Sequence, residues 1–416
     1  MSSTFHDWAS TTGRAKENVS VVSTKTANTH MTGDMQELWT TFADLTKPTP
    51  DLVCFSHLRW DFVFQRPQHL LSRFAAQIRV FVIEEPIYDS PESSGFMHLS
   101  SRGNNLTIAV PHLPGGRSAQ EIDAMQKVLL DQLMQEQSIQ HFAAWYYTPM
   151  ALSFSNHLKP AVTVYDCMDE LSAFAGAPPE LLIREKELFS RANLVFTGGH
   201  SLYEAKRDKH PAVYAFPSSI ERAHFAQAKN NIQQPADQQD IPQPRMGFYG
   251  VIDERMDIEL IGKVAELRPE WQLIMLGPVV KIDQATLPRH QNIHYLGMKS
   301  YKELPAYLSG WDVALLPFAM NESTRFISPT KTPEYLSAGI PVVSAPIRDV
   351  VKPYGELGLV HIAATAEEFV KAIENALKQN TDTKWQADVD KFLSQLSWDK
   401  TWGYMTHLIC SQLQSK

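Results

Sequence analysis

Short, nearly unbroken apolar runs recur along the chain from residue 51 onwards, separated by longer stretches with apolar residues at helical spacing. The runs at 51–56, 78–84, 106–110, 142–147, 161–166, 193–197 and 212–216 have the length and continuity of strands covered on both faces. Between them, 118–137 and 179–191 read as helices. A second series of strands follows at 245–250, 271–277, 292–297, 312–318, 341–344 and 358–362, with helices at 258–267 and 301–308. Strands alternating with helices predict parallel sheets joined by right-handed crossovers. Residues 227–244, rich in Gln, Asn, Asp and Pro, read as a polar linker between the two series. Residues 1–47 are rich in Ser, Thr and Asn and lack sustained periodicity, which predicts a mobile tail with a short helix near 35–45. The expected division is therefore a tail at 1–47, a first domain at 48–224, a linker at 225–243, a second domain at 244–389 and C-terminal helices at 390–416. The last helix, near 400–413, carries Trp402, Leu408 and Ile409 as a core-packing stripe.

The densest chemistry lies in 312–344, which reads as strand, long polar loop, short helix and strand. Ser328-Pro329 and Thr332-Pro333 each have the form of an N-cap followed by proline at the first helical position. The later start is expected, because Pro333 would otherwise sit inside the helix. Gly339 is placed to end the helix, and Pro341 prevents its continuation. Lys331 then stands at the tip, where the helix dipole disfavours a cation. A lone lysine is more often simply solvated. A capped helix and a polar loop beside it shift the reading to an external anion, phosphate above all, held between the ammonium and the free N–H groups. Glu334, in the first turn, is placed to accept hydrogen bonds from a pair of hydroxyls such as a ribose diol. Taken alone, it would be a carboxylate favoured by the dipole.

Residues 57–66 form the second cluster, with His57, Arg59, Trp60, Asp61, Gln65 and Arg66 just past the first strand. Open α/β sheets bind ligands beyond the carboxyl ends of their strands. Pro67, Leu70, Leu71 and Phe74 are ordinary helix-entry and core residues. Another strand exit holds Asp166, Asp169 and Glu170. Asp169 is the candidate general base or acceptor clamp, with His57 and His200 as competitors. An aspartate satisfying turn N–H groups is an equal reading of Asp169. The Gly198-Gly199 turn before His200 could hold an anion or a sugar, although ordinary strand–helix punctuation explains it better.

Composition narrows the partners. A formal charge of −8 argues against a nucleic-acid binder. Hydrophobic residues at 44% and charged residues at 20% fit a globular chain with ample core. Cys54, Cys167 and Cys410 are far apart and without metal-ligand spacing, so buried thiols in a reducing compartment are expected. No run is long enough to span a bilayer, and no signal peptide is visible, which places the expectation in the cytoplasm.

Residues 328–344, SPTKTPEYLSAGIPVVS, resemble the donor-nucleotide segment of GT-B-fold glycosyltransferases, P-x-K-x-x-E-Y-x-x-A-G-x-P-V-V. Pro329, Lys331, Glu334, Tyr335, Ala338, Gly339, Pro341, Val342 and Val343 all match. Residues 55–69 are similar to an F-S-H-x-x-W-x-x-x-x-Q-R-P-Q-H motif near the start of one group of bacterial polysaccharide sugar transferases. The resemblance implies an α/β fold of GT-B type: two Rossmann-like, doubly wound domains facing a cleft, with a C-terminal helix crossing back. It implies a hexosyl transfer from a UDP-linked sugar to a glycan or lipid-linked acceptor in cell-surface polysaccharide synthesis. Lys331 would hold the diphosphate and Glu334 the ribose. Thr330, Arg255, Gly250, Asn321, Thr324 and Gly297 would complete the donor side, and Arg59, Trp60, Gln65, Arg66 and His200 the acceptor side. Asp169 and His57 would be catalytic. The nucleotide sugar is a substrate, so no cofactor is implied, and the Lys331 segment replaces a metal. Peripheral association with the inner membrane is a further expectation. The sequence departs from many retaining members at Phe326, where they carry a second glutamate. Two rivals stay in view: a nucleotide-sugar epimerase of the same fold, and a non-catalytic nucleotide-sugar-binding subunit, which the departure at Phe326 favours.

Overall fold

A parallel strand cannot reach its neighbour by a tight turn, so each pair in such a sheet demands a crossover that covers one face. The computed structural model, which describes residues 49–414 except 92, 104, 175, 231 and 380, meets that demand twice. The first sheet contains β1 (Asp51–Ser56), β2 (Val80–Glu84), β3 (Phe96–Ser101), β4 (Leu106–His112), β5 (Phe142–Tyr146), β6 (Val162–Cys167), β7 (Leu194–Thr197) and β8 (Val213–Ala215). Their order is β3-β4-β2-β1-β5-β6-β7-β8, and every pair is parallel except β3–β4. The second sheet contains β9 (Arg245–Tyr249), β10 (Gln272–Leu276), β11 (Ile293–Gly297), β12 (Val313–Leu316), β13 (Val342–Ser344) and β14 (His361–Ile362). Its order is β11-β10-β9-β12-β13-β14, parallel throughout.

The strand order reverses at β1 in the first sheet and at β9 in the second. At such a switch point the crossovers leave towards opposite faces and open a crevice at the carboxyl end. The loop after β1 leads into α1 (Arg66–Ala75), with Pro67 in its first turn. The other helices of the first domain include α2 (Ala119–Glu136), α3 (Glu180–Arg191) and α4 (His200–Lys206). Ser118 and Glu121 cap α2 reciprocally, each side chain satisfying a backbone donor of the other. β3 was not expected from the pattern. It is an antiparallel edge strand with no fully buried residue, so it lacks the continuous apolar run of its neighbours.

The polar stretch 225–243 is folded onto the second domain and does not behave as a linker. The Gln238 side chain is fully buried; it donates to the Tyr307 carbonyl at 2.9 Å and accepts from Trp311 Nε1 at 2.9 Å. Arg245 donates to Gln234 Oε1 at 2.6 Å and to the Ile241 carbonyl at 2.8 Å. Polar residues here satisfy buried backbone groups, which composition alone cannot distinguish from solvation. Ile220, Phe225 and Ala228 already belong to the second core, so that domain begins at the crossing near Phe216–Glu221. α5 (Arg222–Phe225) follows the crossing, then α6 (Ile258–Leu267), α7 (Lys331–Ser337), α8 (Ala366–Gln379) and α9 (Thr383–Leu393).

The C-terminal division also moves. Trp385, Val389 and Leu393 of α9 lie in the second core, while α10 (Trp398–Gln414) alone crosses back. Its Trp398, Trp402, Met405 and Ile409 pack with Leu70 and Phe74 of α1. Trp398 stacks on His69 with ring centroids 4.6 Å apart. His69 Nδ1 in turn lies 3.5 Å from Glu221 Oε1, so the two passages between domains meet at one buried imidazole. Glu221 also faces Arg73 at 3.5 Å and accepts from the Tyr301 hydroxyl at 3.1 Å. The His69 imidazole beside it, with help from Tyr301 and Arg73, holds the Glu221 carboxyl down at about 2.

The three cysteines are buried and free. Among the described residues no helix is long and apolar enough to cross a membrane. The expected helix near 35–45 lies outside the described residues. Replacing Trp398, of which 1% remains exposed, removes the ring that α10 stacks on His69. Trp398→Ala is expected to cost about 3–5 kcal/mol, measured by urea denaturation followed at two wavelengths.

Candidate functional site

α7 begins at Lys331, with Thr330 as N-cap, two residues before the expected start. Pro333 is therefore the third helical residue. That costs little, because the first N–H groups of a helix have no intrahelical acceptor to lose. Gly339, at φ +81°, ends the helix as expected. The Thr330 side chain makes no cap hydrogen bond, Thr332 N donates to the Pro329 carbonyl at 3.3 Å and Pro333 has no N–H, so the tip's unused donors are concentrated at Lys331.

Lys331 lies across the turn after β9. A Cβ at Gly250, whose φ is +144°, would sit 2.5 Å from Lys331 Cε and 3.2 Å from Nζ. Only glycine permits that approach. Burial pulls the Lys331 ammonium below its ordinary range, opposed by the charge of Glu334. No carboxylate among the described residues forms an ion pair with it. One turn on, Glu334 is buried, and its Oε2 accepts a short hydrogen bond from the Tyr249 hydroxyl. Burial raises the Glu334 carboxyl to about 7, against the opposing pull of Lys331 and Tyr249. The Tyr249 N–H donates to the Tyr335 hydroxyl at 3.0 Å, which fixes the end of β9 against α7.

These groups form one wall of a cavity of about 580 Å³ between the two switch points. Gly250, Gly277 and Met298 to Lys302 continue the second-domain side; Trp60 to Gln65 and Gln68 supply the first-domain side. Thr330, Lys331, Glu334, Gly250, Trp60 and Gln65 thus meet in one space. Gly297 supports it from behind, its carbonyl accepting from Gly277 N at 2.8 Å.

Other expected residues lie elsewhere. Arg66 is not available to an acceptor. It is buried, pairs with Asp166 through Nη2 at 2.8 Å and Nε at 3.0 Å, and donates to the Phe216 carbonyl at 2.7 Å. Asp166 is correspondingly a structural partner of Arg66. Arg59 donates to Glu84 Oε2 at 3.0 Å and to the Pro86 carbonyl at 3.3 Å. Glu170 pairs with buried Lys206 at 2.7 Å. Thr324 is buried with its hydroxyl bonded to the Ala319 carbonyl, and Asn321 accepts from Ser323 and donates to the Glu254 carbonyl at 3.3 Å; both shape the loop after β12. The tip of α4 beside His200 already holds an anion, since Asp349 of the second domain accepts from His200 N at 2.8 Å and Ser201 N at 3.0 Å. A Cβ on Gly199 would meet Asp349 Oδ2 at 2.3 Å, so this glycine lets the two domains touch. Phe326 packs against the core of the first domain.

Asp169 and His57 do not line the cavity. Burial raises the Asp169 carboxyl, while Arg255, Arg66 and Lys331 draw it down, so it shares the electrostatic neighbourhood of the helix tip. Arg255 is clamped to Asp253 at 2.7 Å and sits 5.7 Å over the Phe174 ring. Burial lowers His57 to about 4, leaving a neutral imidazole at pH 7. Sequence reasoning missed Tyr249 and Tyr301. Tyr249 was within reach, because it immediately precedes the glycine at the end of β9. Tyr301 lines the cavity just past β11 and is tied to the crossing by its hydroxyl on Glu221.

Residues 243–379 match the family model described as Glycosyl transferases group 1. Over 263 residues the chain is 25% identical to a putative teichuronic acid biosynthesis glycosyltransferase, TuaH, of Bacillus subtilis. That match spans 58% of this chain and 65% of the relative, so about a third of the relative lies outside it. Two solved structures share the fold. Sucrose-phosphate synthase from Thermosynechococcus elongatus superposes with a TM-score of 0.67 at 13% identity, covering 88% of this chain and 100% of that one. An E. coli trehalose-6-phosphate structure bound with UDP-2-fluoro glucose gives 0.65 at 14% identity, covering 88% and 99%. The architecture is GT-B: two parallel-sheet domains facing a cleft, with the last helix on the first domain.

Glu334 has a native pKa of about 7 against an ordinary value of 4.5. A carboxyl raised on folding favours the native state below the unfolded pKa, and that contribution is lost as pH rises through the folded one. Glu334→Gln removes the titration and keeps an acceptor for Tyr249. The variant should gain on the wild type by roughly 1–3 kcal/mol between pH 4.5 and 8. Paired urea melts at the two pH values measure it; a difference independent of pH would contradict the shift.

Proposed function

We propose that the protein is a glycosyltransferase that moves a hexosyl group from a nucleotide sugar, UDP-linked, to a glycan or lipid-linked acceptor in cell-surface polysaccharide synthesis. The observation that carries this reading is the α7 tip, where Lys331, without an ion-pair partner among the described residues, and Glu334 face a cavity built by both switch points. The family match over the second domain and the teichuronic acid relative support the reaction class, and the UDP-2-fluoro glucose neighbour supports the donor class.

The leaving diphosphate gains charge during transfer. A cation and oriented N–H groups fixed beforehand stabilise that charge more than the ground state, without reorganising at the moment of reaction. The ammonium and the backbone N–H of Lys331 at the α7 tip supply them, so no divalent metal is called for. Glu334 must be ionised to accept from a ribose diol. Donor binding therefore draws its proton off near pH 7, and affinity falls at lower pH. The acceptor hydroxyl is a weak nucleophile, and in an inverting transfer it needs a positioned base. Asp169 suits the role, since burial strengthens it as a base and it faces the same electrostatic field as Lys331.

UDP release from UDP-sugars on addition of acceptor, in excess EDTA, tests the reading. Lys331→Ala should cut turnover about 10²–10³-fold with the melting temperature unchanged; near-normal turnover would rule out its role. Asp169→Asn should keep donor affinity and lose at least about 10²-fold in transfer. Unchanged transfer in that variant would assign Asp169 to structure.

A further inference from the structure

The loop Trp60–Gln65 enters the cavity from the first domain, and it is held from both ends. The Trp60 N–H donates to Glu84 Oε1 at 2.6 Å, and the Trp60 carbonyl accepts from Gln68 Nε2 at 2.7 Å. Asp61 accepts from Arg102 Nε at 3.1 Å and from its Nη2 at 2.5 Å. Phe64 stacks on Tyr301 of the second domain, centroids 4.5 Å apart and planes inclined by 28°, and meets His69 edge-on at 4.7 Å. Phe62 lies between these anchors. It lines the cavity, is 42% exposed, and has no ring or cation partner among the described residues.

A fixed loop that presents an exposed, unpartnered aromatic ring to a cavity offers a flat apolar face at little ordering cost. The polarity of the cavity says what could use it. Lys331 brings a cation to its lining, Glu334 with Tyr249 a buried acceptor, and Met298 to Tyr301 the wall to which Phe64 ties the loop. A ligand matching these groups and the free face of Phe62 carries an anion, paired hydroxyls and a planar ring. We propose that Phe62 is a base-binding residue of the donor site, stacking on the nucleobase from the first domain. This rests on the nucleotide-sugar reading above and adds to it a contact from the opposite domain.

Calorimetric titration with UDP, ADP and GDP, and competition by inorganic pyrophosphate, test the assignment on the full chain. Because Phe62 is substantially exposed, Phe62→Ala should fold with an unchanged melting temperature. It should weaken every nucleoside diphosphate about 5–100-fold, leave competition by pyrophosphate unchanged, and be rescued by Phe62→Trp. Wild-type UDP affinity in Phe62→Ala, an equal loss for pyrophosphate, or an effect confined to acceptor KM would overturn the stacking role and leave the donor reading standing. Failure of the wild type to bind any nucleoside diphosphate would overturn both.

Discussion

Parallel pairing is the constraint from which the cleft follows. Because all crossovers return to the same end, every strand exit of a sheet lies along one edge, and the reversal of order opens that edge at a single place. Here the two places are β1 and β9, and the cavity lies between the loops that leave them. Close packing then refines the position. Lys331 is laid across Gly250, whose own carbonyl would meet a Cβ at Gly277 at 1.8 Å. Three elements distant in sequence are thus fixed to within the size of one methyl group, and the ammonium has little freedom of position.

The charges divide by whether the fold has already satisfied them. Arg66 with Asp166, Lys206 with Glu170 and Glu185, and Asp349 with the tip of α4 are closed systems: each buried charge has its partner within hydrogen-bonding distance. Removing one member of such a pair strands the other, so these groups hold the fold and are poor candidates for binding. Lys331 differs, because its nearest influence, Glu334, is engaged by Tyr249. An incoming anion completes that site without displacing an existing bond.

Local pattern carried most of the architecture. Strand exits are legible because a strand buried on both faces leaves an unbroken apolar run, and Gly339 and Lys331 could be read from helix-end chemistry alone. What failed had non-local causes. The polar residues 225–243 looked solvated, yet Gln238 is buried because Trp311 and Tyr307 supply its partners from far along the chain. Arg66 and Arg59 looked like free site residues, but their carboxylates, Asp166 and Glu84, sit on other strands. Thr324 and Asn321 were assigned to ligand when the loop needed them for its own turns. Spacing along a sequence shows which groups are polar. It does not show which are already paired.

The double passage of the chain between its domains has a mechanical consequence. A body tethered at one point can tilt and twist freely. One tethered at two neighbouring points keeps an easy rotation only about the line that joins them. The crossing at Glu221 and the return into α10 both pass His69, one beside its ring nitrogen and the other against its face. The line through them is short and lies in a packed aromatic cluster, so the domains share in effect one angular coordinate. A small turn about that axis is multiplied by the distance to the cavity mouth. The loop carrying Phe62 would then sweep towards or away from α7 along a fixed arc, meeting whatever lies between them from the same direction each time.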